Sequence, residues 1–406
     1  MGYRFQAVKG ISWIGTLRIT TRILAFFRYA ILGRILTPYD FGLFGIASLL
    51  LSFLEIITET GVNIVLIQQK SDIKKYFHSA WIVSIVRGIV LSLLIILCAP
   101  LIANFFNATA SYPIIIAIAL VPFIRGFINP AIVLFHKELQ FQKEFWFRFI
   151  LFAVDTSTAI IIAFLTKSAL SFVGGLIASA VVEVIGSFLI VKLRPKLRFE
   201  VKKIKYILQR GWWVTITGVF SYIADQGDNI IVGRLLGTSA LGIYQIAYKI
   251  STLTITEITD VVNKVVFPVY VKFANDRKRL LTAFLKVTGV TSLGALVIAS
   301  GLFIFAHEII LLLMGQQWLE AVPVIKILAI YGFLRTLFGN LAPVFLAIER
   351  QDYIAKMTFF RVMGLLITII PFVIFYGLAG AGFSALASII AEIPIALYFL
   401  VKTFHK

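Results

Sequence analysis

Nearly every stretch of about 20 residues in this chain is apolar enough to cross the hydrocarbon core of a bilayer. Water is the wrong solvent for such a chain. Of its 406 residues, 60% are hydrophobic and 14% charged, whereas a soluble domain carries about a quarter charged residues. In lipid only a helix or a closed barrel satisfies its own backbone, and these runs lack the two-residue alternation of barrel strands. The expectation is therefore an all-α integral membrane protein with about twelve transmembrane helices. They fall near 10–31, 41–66, 79–102, 112–135, 146–166, 169–191, 211–233, 240–268, 282–306, 319–347, 354–376 and 378–401.

A net charge of +19 raises nucleic acid as a partner, but the cations follow the loops of a membrane protein instead. The N-terminal stretch, the even-numbered loops and the C-terminal stretch hold 22 of the 38 Lys and Arg. The odd-numbered loops hold three (Arg34, Lys167 and Arg234), and 13 lie inside the spans. By the positive-inside rule both ends of the chain are expected in the cytoplasm. The first apolar run continues into Arg18 and Arg22 without a cleavage-site pattern, so it reads as a retained helix.

The sequence divides at 192–210, which carries eight basic residues and one acid. This reads as a solvated cytoplasmic linker beside anionic headgroups. It separates residues 1–191 from 211–406, each a bundle of six helices. The two halves share a register of about 200 residues: Trp13 aligns with Trp213, Gly33-Arg34 with Gly233-Arg234, and Ile46-Ala47 with Ile246-Ala247. Farther on Phe123-Ile124-Arg125 aligns with Phe333-Leu334-Arg335, and Phe147-Arg148 with Phe360-Arg361. Six is even, so the repeats enter from the same side and are parallel, an arrangement that commonly binds substrate between its halves.

A central arginine costs about 2.5–3.5 kcal/mol even on the lenient insertion scale, so arginines within spans should face a wet cavity or a counter-charge. Arg18 and Arg22 are four apart and share a helix face; Arg125 and Asn129 repeat the spacing. With Arg87, Arg148, Arg335 and Arg361 they predict a cationic interior, and guanidinium grips phosphate oxygens by paired hydrogen bonds. Arg28, nearer a span end, is expected to snorkel. Intramembrane salt bridging is the competing reading for each.

Polar stripes accompany them. Span two carries Ser48, Ser52, Glu55, Glu59 and Asn63 at steps of three or four. Span seven offers Asp225 and Asp228, and span eight Lys249 and Asp260. Asp155, two turns from Arg148, reads as its within-helix counter-ion, and Glu183 and Glu392 occupy similar places in the last span of each half. Carboxylates beside arginine can change protonation with what the arginine holds, which permits ion coupling. Pro122, Pro371 and Pro394 are candidate kinks.

No GxxxxGK[ST] loop, metal-ligand spacing or nucleophile elbow occurs, so no cofactor and no metal are expected and the chain does not read as an enzyme. Cys98 is the single cysteine, which rules out an intrachain disulfide.

The segments LTPYDFGLFGIA (36–47), ETGVNIVLIQQK (59–70), YIADQGDNIIVGRLLGTSALGIYQIAYKI (222–250), VVFPVYVKFANDRKRL (265–280) and LLLMGQQWLEAV (311–322) resemble the Wzx-like polysaccharide-exporter branch of the multidrug/oligosaccharidyl-lipid/polysaccharide (MOP) flippase superfamily. The resemblance runs over nearly the whole chain. It implies a MATE-like fold and a flippase of the prokaryotic inner membrane that moves a polyprenyl-pyrophosphate-linked oligosaccharide outward by alternating access. The pyrophosphate would use the arginines, and membrane lipids and other polysaccharide-assembly proteins would be partners. Two rivals remain: a cation-coupled small-molecule exporter of the same fold, and a membrane glycosyltransferase or ligase.

Overall fold

The computed structural model describes residues 3–59, 74–138, 140–196, 218–219, 222–223 and 225–404. Among them the regular structure is all helical. Asn63 and residues 197–210 of the basic linker lie outside the described residues. Seven of the described helices are long and apolar enough to cross a membrane. Their surfaces carry exposed Leu165, Leu189, Ile367 and Phe375, as lipid-facing surfaces should. The chain forms two compact units, Met1–Gln226 and Gly227–Lys406.

In the first unit, α1 (Tyr3–Ile35) is followed by α2 (Pro38–Ile57). Thr37 starts α2 with a capping box: its hydroxyl accepts from the Asp40 amide, and the Asp40 carboxylate accepts from the Thr37 amide at 3.0 Å. α2 stops at Ile57, where Thr58 turns its hydroxyl back onto the Leu54 carbonyl at 2.7 Å. The expected polar stripe therefore leaves the helix before Glu59.

α3 (Lys74–Phe105) follows, then α4 (Ser111–Ile118) and α5 (Leu120–Arg125). The single span expected over 112–135 is thus broken. Its last part is a 3-10 turn at Pro130–Val133, which Asn129 caps by accepting from the Ala131 amide. α3 and α5 cross at two glycines: a Cβ on Gly88 would lie 2.6 Å from the Pro122 carbonyl oxygen and 2.9 Å from the Gly126 Cα. That approach brings together the residues beside the glycines, Arg87 and Arg125. α6 (Phe141–Thr166) and α7 (Leu170–Ile190) complete the set.

The boundary between units falls within α8, described over 225–236. α9 (Thr238–Tyr248) runs through a five-residue π-helical turn, Lys249–Leu253, into α10 (Thr254–Phe273). Such turns are uncommon and gather at functional positions. α11 (Arg277–Ile304), α12 (Ala306–Leu313), α13 (Ala321–Gly339) and α14 (Leu341–Ala347) follow.

α15 (Gln351–Phe404) holds one non-helical residue, Gly377 at φ 58° and ψ −134°. Tyr353 stacks on Phe399 at 3.9 Å, and a Cβ on Gly364 would lie 2.9 Å from the Ala391 side chain. Residues 351–376 and 378–404 are therefore antiparallel arms folded at Gly377. Pro371 and Pro394 sit within helical backbone, and the residue of α15 that leaves it is Gly377.

Candidate functional site

In the first unit, α3 and α5 carry Arg87 and Arg125 to a common group of carboxylates. Arg87 donates to the Glu55 carbonyl oxygen at 2.8 Å and to the Glu59 carboxylate at 3.3 Å. Arg125 donates through Nε to Glu183 on α7 at 3.1 Å. Both guanidinium groups also act electrostatically on the Glu55 carboxylate. Five side chains from four helices and the turn after α2 thus form one cluster, with three carboxylates against two arginines. The interior of this unit is an arginine–carboxylate network more than a bare cationic wall.

Exposure separates this cluster from a second ion pair. The side chains are 27% and 36% exposed for Arg87 and Glu59, and 38% and 23% for Arg125 and Glu183. Phosphate oxygens match the same guanidinium donors that the carboxylates use. Arg28 and Asp155, in contrast, are each 10% exposed and bond directly across α1 and α6, with the Arg28 guanidinium 5.9 Å from the centre of the Phe172 ring. This pair is a cross-brace.

Two expectations change here. Arg28 does not snorkel; it is buried against Asp155. Asp155 is not the counter-ion of Arg148, because seven residues along a helix is a rise of about 10 Å. Arg148 instead bonds to Glu144, one turn away, at 2.8 Å, and its side chain is 57% exposed. Arg148 stands apart from the Arg87–Arg125 cluster. The sequence held no signal for the Arg28–Asp155 pair, since it joins residues 127 positions apart.

On α1, Arg22 is exposed, and the side chain of Arg18 lies outside the described ones. Asp225 is exposed on α8.

The second unit arranges its polar groups differently. Arg335 on α13 donates to the hydroxyls of Tyr248 at 3.0 Å and Tyr331 at 3.3 Å. Arg361 meets the nearly buried Glu392 across the two arms of α15 at 3.5 Å. Arg335 acts electrostatically on the same Glu392, so Arg335, Arg361 and Glu392 belong to one group. Asp228, buried on α8, accepts from the Tyr244 hydroxyl at 2.7 Å and from Asn229. Lys249 opens the π-helical turn, half-buried next to Tyr248. Asp260 lies on α10, with its side chain outside those described. Among the described residues no group of three or more His, Cys, Asp or Glu is placed to hold a metal ion.

Glu183 and Glu392, in equivalent last spans, both hold arginine, but from different helices. Glu183 takes Arg125 of α5, whereas Glu392 takes Arg361, which the sequence register aligns with Arg148.

A family model described as polysaccharide biosynthesis protein matches residues 31–323. The lipopolysaccharide biosynthesis protein WzxC of Escherichia coli K12 is 23% identical over 406 residues, with 99% of this chain and 82% of WzxC covered. The teichuronic acid biosynthesis protein TuaB of Bacillus subtilis 168 is 25% identical, with 86% and 72% covered. Among solved structures, the lipid II flippase MurJ in an inward closed conformation superposes with a TM-score of 0.75 at 19% identity, covering 96% of this chain and 88% of MurJ. At that identity the likeness is one of fold: an α-helical membrane protein.

Proposed function

Because the chain belongs to the polysaccharide biosynthesis protein family, we propose that it is a flippase that carries a polyprenyl-pyrophosphate-linked oligosaccharide across a bacterial inner membrane by alternating access. The observation that carries this reading is the Arg87–Arg125 cluster, the partly exposed arginine–carboxylate group of the first unit. A cation-coupled exporter of the same fold would have little use for arginines held ready for phosphate. The relatives named for polysaccharide assembly support the glycan side of the reading.

In this mechanism the substrate pyrophosphate competes with Glu59 and Glu183 for the two guanidinium groups. Phosphate carries more charge per donor pair, and a carboxylate so displaced is freed to exchange a proton. Substrate loading and carboxylate protonation would then be coupled at Glu59 and Glu183, with Glu55 as the neighbouring carboxylate in the same field. Arg335 and Arg361 take the equivalent part in the second unit, with Asp228, Lys249 and Asp260 as sugar or ion contacts. Arg18 and Arg22 extend the cationic face along α1, with Asn63 and Asp225 as further polar contacts. Arg148 and Asp155 act in support, through Glu144 and Arg28.

The finer architecture belongs to the same proposal: twelve spans in two parallel six-helix repeats, 1–191 and 211–406, joined by the basic linker 192–210 with both ends cytoplasmic. Lipids and other polysaccharide-assembly proteins are its partners.

Reconstitution tests the reading. Purified protein in vesicles should move a labelled polyprenyl-pyrophosphate sugar. Replacing Arg87 and Arg125 by Gln should cut that flux roughly 10- to 100-fold, the worth of one or two charge-assisted hydrogen bonds. Wild-type protein that moves no substrate under any ion gradient rules the proposal out.

A further inference from the structure

At one end of the second unit, away from the arginine–carboxylate groups, lies a cavity of about 620 Å³. It is framed by the end of α10, the start of α11, the turn between α14 and α15, and the last turn of α15. Three cations line it: Arg277, Arg350 and Lys402. One carboxylate, Glu349, joins them there, in a left-handed conformation at φ 61°.

Two neighbouring acids do not line the cavity, although one of them, Asp352, pairs with the lining Arg350, which leaves Arg277 and Lys402 against Glu349. Asp276 caps α11 by accepting from the Arg279 amide and pairs with the Arg279 side chain at 3.1 Å. Asp352 accepts two hydrogen bonds from Arg350, at 2.9 and 3.0 Å. The balance facing the cavity is positive.

Two of the three cations are held by contacts to the floor of the cavity. Arg350 lies 3.9 Å from the centre of the Tyr353 ring, which itself stacks on Phe399. Both rings belong to an apolar core with Leu280, Phe345 and Met357. Arg277 donates to the Thr403 carbonyl at 2.9 Å, tying the start of α11 to the end of α15. These contacts fix where the charges sit before anything binds.

The surface leading away from the cavity is apolar on two of its helices. Val265, Val269 and Val271 are exposed on α10, and Leu397, Tyr398 and Val401 on the last turns of α15. A soluble anion would use the cations alone. A ligand with a charged head and hydrocarbon tails would use both features.

We infer that this cavity is a binding site for the phosphate of an anionic phospholipid, with the acyl chains lying along the exposed stripes of α10 and the end of α15. The site is separate from glycan transport and stands or falls without it: lipid binding and flux are read by different measurements.

The test is lipid binding to the purified full chain in detergent, followed by native mass spectrometry. Phosphatidylglycerol should bind saturably, and phosphatidylcholine, whose head carries no net charge, weakly. Each interfacial cation contributes about fivefold to such binding, so Lys402→Gln should weaken phosphatidylglycerol about fivefold. Arg277→Gln with Lys402→Gln should weaken it about 25-fold. Lys402→Arg should bind as the wild type. If losing the Arg277 bond to Thr403 unfolds the double variant, as thermal unfolding would reveal, the Lys402→Gln and Lys402→Arg pair carries the comparison alone. Equal binding of the two lipids overturns the proposal, as does undiminished binding by Lys402→Gln. Glycerol phosphate binding as tightly as phosphatidylglycerol also overturns it, making the cavity a site for a soluble anion.

Discussion

Arg28 and Asp155 form a pair whose two members depend on each other. With both side chains 10% exposed, removing one leaves a buried charge without its partner, which costs about 3–5 kcal/mol, whereas replacing both by packed apolar residues is often neutral. Arg28→Leu alone should therefore lower the thermal unfolding temperature in detergent markedly. Adding Asp155→Leu should restore most of the loss. Equal losses in the single and double variants would show that Arg28 matters through its packing on Phe172 instead. This pair also marks what the amino-acid order could not carry. That arginines inside spans need partners follows from solvation and is legible at Arg87 and Arg125. Which acid each one takes depends on helix crossings such as Gly88 against Gly126, and on Glu59 lying beyond the end of α2 instead of on its face. Helical spacing alone pointed Asp155 at Arg148, the wrong partner.

Among the helices, α15 shows how one residue sets an element's form. Gly377 has φ 58° and ψ −134°, a region almost closed to residues with a Cβ. Nothing lies within 4 Å of where that Cβ would be. The cost of Gly377→Ala is then purely conformational, on the order of 1–3 kcal/mol. Gly289, exposed in the middle of α11, also has open space around it. There the helical backbone accepts alanine, and Gly289→Ala should stabilise by roughly 0.5–1 kcal/mol. Opposite signs for two glycine-to-alanine changes, read by thermal unfolding of the purified protein, are the expected result; two destabilisations would mean that Gly289 is held against a neighbour. Apolar run lengths located both arms of α15, since 354–376 and 378–401 end on either side of Gly377. The breaks within 112–135 and at Lys249–Leu253 were not legible, because a bend of the backbone inside a bundle leaves hydrophobicity unchanged. It shows only in such local details as Asn129 capping Pro130–Val133.

Across the whole molecule, the 200-residue register proposed from the sequence does not extend to the chemistry of every aligned charge. Arg28 aligns with Asp228 in that register, yet Arg28 bonds to a carboxylate while Asp228 takes a tyrosine hydroxyl. By the positive-inside rule the sidedness of the chain is set by its loops. This makes sidedness testable apart from substrate chemistry. The proposed topology puts Lys278, beside the start of α11, in the cytoplasm and Glu308, on α12, outside. Both are exposed, and one helix of 28 residues, Arg277–Ile304, separates them. At 1.5 Å per residue it spans about 42 Å, enough to cross a hydrocarbon core of about 30 Å. Cys98 is the chain's single cysteine, so Cys98→Ala gives a background without thiols. In intact cells an impermeant maleimide should label Glu308→Cys and leave Lys278→Cys unlabelled until the membrane is opened. The reverse pattern would invert the whole chain, because every loop's side follows from any one of them once the span count is even in each half. Labelling of both from outside would mean that α11 does not cross, and the parallel relation of the two halves would fail with it.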